Sequence, residues 1–290
     1  MTDPTDDPSG AEPSTGAAPD PEAPSADAAA AAATAGPPRT LELEVEVVGT
    51  PEAVWQAIAT GPGISSWYVP HTVEERPGGA ATASFGDAPE MQIPGRVAAW
   101  DPPRRIMFDG GEGVGGLAFE WLVEARDQGT CIVRLINSGF GDGDEWDDQY
   151  DAMREGWGLF LYNLQLHCEH FAGRTATSMQ PMGMWPLDRD AAWARLTTEL
   201  GLPATPALGE RVSADAGEGL ELAGTTVAVG SNHVALLLDT PAPGTAFLAA
   251  EGSHGGCGVS VWAYLYGDDA PALIERDKPR WQAWLQEHAG

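Results

Sequence analysis

Four blocks recur in this chain in the same order and at similar spacing, so the fold must be one that a single unit can adopt twice. LDRDAAWARLTTELGL (187–202) resembles TPEAVWQAIATGPGI (50–64) in its capping residue, its tryptophan and its glycine stop. LELAGTTVAVGSNHVALLLD (220–239) lines up with MQIPGRVAAWDPPRRIMFD (91–109). AFLAAEGSHGGCGVSVWAYLYGD (246–268) lines up with FEWLVEARDQGTCIVRLINSGFGD (119–142), which sets Cys257 opposite Cys131. RWQAWL (280–285) then falls opposite GWGLFL (156–161). An internal duplication accounts for this order, the second copy having a shorter sheet edge and a shorter final helix. An unrelated β-rich domain is the alternative.

Periodicity fixes the elements of the first copy. Leu41, Leu43, Val45 and Val47 alternate as one face of a half-buried strand. Thr50, Pro51 and Glu52 are an N-cap, a first-turn proline and a first-turn acid, and Gly61 with Pro62 stops the helix they open. Strands are expected near 70–76, 80–85, 91–100, 104–109, 117–125 and 130–137, followed by a helix from about 144 to 172 that Gly173 ends. A curved antiparallel sheet around that long helix buries both apolar faces, which makes the fold class α+β.

Residues 1–39 contain seven acids, one base and six consecutive alanines, Ala28–Ala33, and lack the apolar side chains needed to offset ordering. They read as a disordered tail before a first unit at 40–173 and a second at 174–290. A formal charge of −28 and a single lysine, Lys278, exclude nucleic acid and anionic membranes as partners, because both need basic side chains. Three unpaired cysteines without a CxxC point to a reducing compartment, and no signal peptide or membrane span is visible. The expected location is cytoplasmic.

Several motifs together resemble the START-like (SRPBCC) superfamily, specifically bacterial domains similar to the activator of Hsp90 ATPase. They are TPEAVWQAI with GISSWYVP, the WDPPRR turn, FEWLVEARDQGTCIVRLINSGF and the W-x-x-x-Y-x-x-x-x-x-x-W-x-x-x-L pattern of Trp146, Tyr150, Trp157 and Leu161. The resemblance covers roughly 40–173 and implies a helix-grip fold whose pocket often holds apolar small molecules. Its members include ligand carriers, polyketide cyclases and co-chaperone domains. No segment matches the chaperone-contacting domain of the eukaryotic activator, so a chaperone contact is unsupported. Many relatives carry His where this chain has Asn137, and a neutral amide can hold a ligand but cannot serve as a general base.

Strand parity puts Phe119, Trp121 and Val123 on the face toward the helix, and by the same parity Val133, Leu135 and Asn137 point inward. Trp146, Tyr150, Met153, Trp157, Phe160, Leu161 and Leu164 form one helical stripe. With Trp67 and His71 at the mouth, the candidate ligand site is Trp67, His71, Trp100, Phe108, Phe119, Trp121, Asn137, Trp146, Tyr150, Trp157 and Leu161. The acids Asp144, Asp147, Asp148, Asp151 and Glu155 read as the solvated start of a helix, where carboxylates offset the positive dipole end.

His167 and His170 have zinc-compatible spacing but no third ligand, and GEGVGG (111–116) joins two strands instead of opening a helix. No metal, no cofactor and no catalytic residue is therefore assigned. Ile132 and Ile136, on the outward parity beside Arg134, suggest that the second copy covers that side of the sheet. The expectation is a tandem helix-grip protein that binds a hydrophobic small molecule without evident catalysis. A cyclase or dehydratase using His71 or Tyr150 and a chaperone-associated binding module are the alternatives.

Overall fold

A computed structural model describes residues 39–111, 116–140, 144–252 and 256–290, with side chains of the long helix described at Tyr150 and from Met153 onward. The tail and the centres of the two glycine-rich hairpin loops fall outside the described residues, as do the side chains of Trp146, Asp144, Asp147, Asp148 and Asp151.

In the first unit β1 (Arg39–Val48) leads into α1 (Pro51–Ala59) and the short α2 (Gly61–Ile64). Six strands follow: β2 (His71–Val73), β3 (Ala80–Ser84), β4 (Gln92–Asp101), β5 (Arg105–Asp109), β6 (Ala118–Ala125) and β7 (Thr130–Phe140). The chain closes with α3 (Asp144–His170). All neighbours pair antiparallel in the order β1-β7-β6-β5-β4-β3-β2, and α3 lies across the inner face against β1. Thr50 caps α1, its hydroxyl accepting from Ala53 N at 3.3 Å, with Pro51 in the first turn.

The second unit repeats this plan. β8 (Ala176–Met179) and β9 (Met182–Trp185) both pair with β14 (Cys257–Tyr266), one after the other along its length. Together they occupy the place of β1, interrupted at Gln180 and Pro181. α4 (Arg189–Glu199) follows, then β10 (Arg211–Asp215), β11 (Glu221–Val229), β12 (His233–Thr240) and β13 (Gly244–Glu251). β14 and α5 (Ala270–Glu287) end the chain. The sheet order β10-β11-β12-β13-β14-β8 matches that of the first unit with one edge strand fewer, and α5 has 18 residues against 27 in α3. Two helix-grip units are therefore present, the second with the shorter edge and shorter helix that the sequence alignment implies.

The two sheets differ in how their faces are used. The first is buried on its inner face: Val97, Ile106, Trp121, Val133 and Leu135 share a core with Trp157, Leu161 and Leu164 of α3. The second is buried on both. One face packs against α4 and α5 through Trp193, Leu196, Trp281 and Leu285. The other presents Ala235, Phe247, Tyr264 and Tyr266 to Leu159, Tyr162 and Leu166, on the opposite side of α3 from the first sheet. β13 is accordingly buried at seven successive positions, without the alternation of a strand that has one wet face.

The second unit thus covers α3 on the side away from β7, and the Ile132 and Ile136 face is not the surface it occupies. Those two isoleucines stay half-buried in β7, beside Arg134, which is ion-paired to Glu42 and Glu44 of β1.

Candidate ligand cavity

GISSWYVPH (63–71) links α2 to β2 and is held by hydrogen bonds at nearly every step. Thr60 Oγ1 accepts from Gly63 N at 3.1 Å and donates to Gln56 O at 2.8 Å. The turn is so tight that a Cβ on Gly63 would stand 1.9 Å from Gln56 O, which excludes any larger residue. Ser65 Oγ accepts from His71 N at 2.9 Å, and Trp67 Nε1 donates to Ala57 O at 2.9 Å. The loop therefore presents Trp67, Tyr68 and His71 in fixed positions.

These side chains open onto a cavity of about 620 Å³ between α3 and the β2–β6 part of the first sheet. Eight aromatic rings line it, those of Trp67, Tyr68, Phe85, Phe108, Phe119, Trp121, Trp157 and Phe160. The rings interlock, with Tyr68 4.4 Å from Phe160 and 4.7 Å from Trp157, and Trp121 5.4 Å from Trp157, centroid to centroid. Such edge and tilted contacts hold the wall rigid. Phe85 and Ile93 line the cavity yet are 41% and 53% exposed, so they form its apolar rim.

Polar groups on the wall are few. His71 Nδ1 lies 2.8 Å from Val69 O, and burial lowers the histidine pKa. Burial likewise raises that of Tyr68. Both keep part of their surface accessible, as expected for side chains facing an internal space. Asp109 accepts from Arg96 Nε and Gly111 N, each at 2.9 Å, and the guanidinium holds its carboxyl below the usual range.

Six of the expected site residues meet here: Trp67, His71, Phe108, Phe119, Trp121 and Trp157. Four others do not line the cavity. Because α3 leans on β1, the β1–β7 half of the grip closes into solid core and takes Leu161 and Asn137 with it. Asn137 is fully buried, its Nδ2 lies 3.0 Å from Met153 Sδ, and it is Met153 that reaches the cavity. Tyr150 packs edge-on against Phe140 at the end of β7, 5.3 Å away. A register shift between Val97 and Ala99 returns Trp100 to the inner face, but under α1, where it meets Trp55 at 5.0 Å.

The sequence reading missed Tyr68, Phe85 and Ile93. Tyr68 follows Trp67 directly, and simple strand parity cannot place two adjacent rings on one wall when they sit in a turn.

The second unit reaches the cavity from behind. Trp262 of β14 stacks on Phe160 at 4.8 Å. Tyr266 Oη donates to Ser66 O at 3.0 Å and lies 2.7 Å from His167 Nδ1. Gln180 Nε2, freed by the break between β8 and β9, donates to Tyr68 O and Tyr264 Oη, both at 3.3 Å. Asn163 of α3 donates to Trp67 O at 2.9 Å and accepts from Thr245 Oγ1 at 2.7 Å.

Charged contacts tie the units at the edges. Arg189 pairs with Glu155, and Lys278 of α5 is 2.7 Å from Asp87, in the loop that carries the rim. Glu155 thus serves as an inter-unit partner and not only as part of a solvated helix start. His167, which the sequence singled out only for its spacing from His170, is 3% exposed in this interface, and burial lowers its pKa to about 4. Among the described residues no three His, Cys, Asp or Glu side chains converge, and no helix is long and apolar enough to cross a membrane.

The sequence profile of the Activator of Hsp90 ATPase homolog 1-like family matches residues 49–169. Residues 49–169 belong to that family. The match spans α1 through all but the last residue of α3, so the cavity lies within this AHSA1-like domain and the second unit beyond it.

Solved structures similar to the chain include a protein from Mesorhizobium loti, 17% identical over 46% of this chain and 98% of that one, with a TM-score of 0.39. The Aha1 dimer from Colwellia psychrerythraea is 16% identical over 46% of this chain and 97% of its own, with a TM-score of 0.37. The di-domain ARO/CYC BexL of the BE-7585A biosynthetic pathway is 16% identical and spans 87% of this chain and 98% of its own, at a TM-score of 0.40. The sequence matches none of the curated proteins compared with it.

Proposed function

We propose that the AHSA1-like unit is a receptor for an apolar or aromatic small molecule, held in the cavity between α3 and the β2–β6 part of the sheet. One observation carries this reading: about 620 Å³ of space persists where a helix-grip core would otherwise close, and aromatic rings surround it. That volume falls in the range of small-molecule sites, roughly 300–1,000 Å³, and the few polar groups on an apolar wall are typical of them. The other half of the same grip is packed solid, so the space is not a consequence of the fold alone.

We take the units to divide near Gly173. Three free, buried cysteines support a reducing, cytoplasmic setting.

Gly156 offers a direct test. It lines the cavity on α3, and a Cβ there would meet no atom within 4 Å. Gly156→Leu should fill the space without a clash, and replacing a helical glycine should raise stability by up to about 1 kcal/mol. In calorimetric titrations with 2-methoxynaphthalene, wild type should bind and Gly156→Leu should bind at least about tenfold more weakly. Equal affinity in both proteins, or no binding to wild type, refutes the proposal. Native mass spectrometry of the purified protein should also show adduct mass that Gly156→Leu lacks.

A further inference from the structure

The apolar wall explains affinity for rings but not a choice among them. His71 and Tyr68 supply the polar contrast. A carbonyl oxygen only accepts hydrogen bonds, so the 2.8 Å contact with Val69 O requires the proton on Nδ1. Nε2 then carries a lone pair. Among the described residues Nε2 has no partner, and it is not sealed in the protein interior; His71 itself lines the cavity.

Tyr68 stands beside it, the two ring centroids 5.5 Å apart, and its phenol is likewise without a partner among the described residues. Among the described residues the one carboxylate on the wall, Asp109, is already engaged by Arg96 and Gly111. The pair therefore offers one acceptor and one donor on neighbouring rings of the same aromatic wall.

We infer that His71 Nε2 and Tyr68 Oη recognise a neutral hydroxyl on the ligand, which makes the preferred ligand class a phenol or similar hydroxyl-bearing ring system. The ligand hydroxyl donates to Nε2 and accepts from the Tyr68 phenol. Burial keeps both protein groups uncharged near neutral pH, which suits an uncharged ligand and disfavours a phenolate or carboxylate. A ring of similar shape lacking the O–H leaves Nε2 buried without its bond, and that loss is the source of discrimination. This inference rests on the receptor reading above.

The test compares 2-naphthol with 2-methoxynaphthalene, which keeps the ring and an acceptor oxygen but has no O–H. The ratio of the ether's Kd to the naphthol's is measured by calorimetry in wild type, His71→Phe and Tyr68→Phe. In His71→Phe this ratio should fall by about threefold to tenfold, the worth of one hydrogen bond, while the ether's own affinity changes little. Tyr68→Phe should weaken both probes alike, since each can accept from the phenol. An unchanged ratio in His71→Phe overturns the inference while leaving the receptor reading intact; failure of both probes to bind wild type removes the two together.

NMR of the wild-type protein gives the same answer without a variant. The His71 15Nε2 resonance should move on adding 2-naphthol and stay put on adding the ether, and equal responses would overturn the assignment.

Discussion

Tyr266→Phe tests how far the second unit builds the cavity of the first. The tyrosine hydroxyl donates to Ser66 O at 3.0 Å and accepts from His167 Nδ1 at 2.7 Å, with Ser66 fully buried and His167 nearly so. Removing one oxygen leaves a carbonyl and an imidazole N–H without partners in a dry interface. Each such group costs about 1–3 kcal/mol, so the variant should lose roughly 3 kcal/mol. The ring itself, stacked on Phe171 at 3.9 Å, is kept, which separates the hydrogen bonds from packing.

Urea titration followed by tryptophan fluorescence should read this loss at unchanged slope, and Tm should fall by about 6–12 °C for a domain of this size. Pairing it with His167→Phe in a double-mutant cycle should give a coupling of at least about 1 kcal/mol. A loss below about 0.5 kcal/mol, or additivity with His167→Phe, would show that water replaces the hydroxyl and that the clamp on Ser66 is not structural.

Other consequences follow from the same interface. Because α3 contributes to the cores of both units, heat should unfold residues 40–290 in one calorimetric transition; two separate transitions would refute the shared core. His167 titrates near 6.5 when unfolded but is pushed down to about 4 in the fold, so the unfolded chain takes up the proton first. Its contribution is intact above pH 6.5 and is lost as pH falls from there towards 4, about 2 kcal/mol of it between pH 7 and 5. His167→Gln, which retains a donor for Tyr266, should show a shallower decline of urea midpoint over that window, and an identical decline would contradict the assignment. Glu155→Gln, which weakens the exposed pair with Arg189 and leaves the Arg189 bond to Ala250 O in place, should cost under about 1 kcal/mol and leave binding of 2-methoxynaphthalene unchanged.

The first unit was largely legible because its strands are wet on one side. Leu41 to Val47 and Phe119 to Val123 alternate, Thr50 and Pro51 announce a helix start, and the closing helix has a stripe. The second unit obeys another rule: β13 is buried on both faces, so its sequence, GTAFLAAE, carries no period to read. The repeat alignment found it where periodicity could not.

The second apolar stripe of α3, Leu159, Tyr162 and Leu166, was present in the sequence but was overlooked beside the aromatic one. A helix apolar on two sides is one that two partners bury. Cavity-lining residues were legible where strand parity coincided with the open half of the grip, as with Phe119 and Trp121. They were not where the tilt of α3 chose which half of the grip stays open, which sent Asn137 and Leu161 into solid core. No local pattern encodes that tilt.

The ion pair between Lys278 and Asp87 gives the molecule a chemical handle. Lys278 is the only lysine in the chain, so the protein has a single side-chain amine, and it sits against the loop that carries Phe85. Amine-directed reagents therefore address one side chain of the fold, next to the cavity rim. A dye placed there would report on the entrance without engineering the sequence, and a zero-length carbodiimide bond between the two residues would staple the rim to the second unit. The scarcity of lysine, which in composition is only a deficit of charge, becomes a means of watching the doorway.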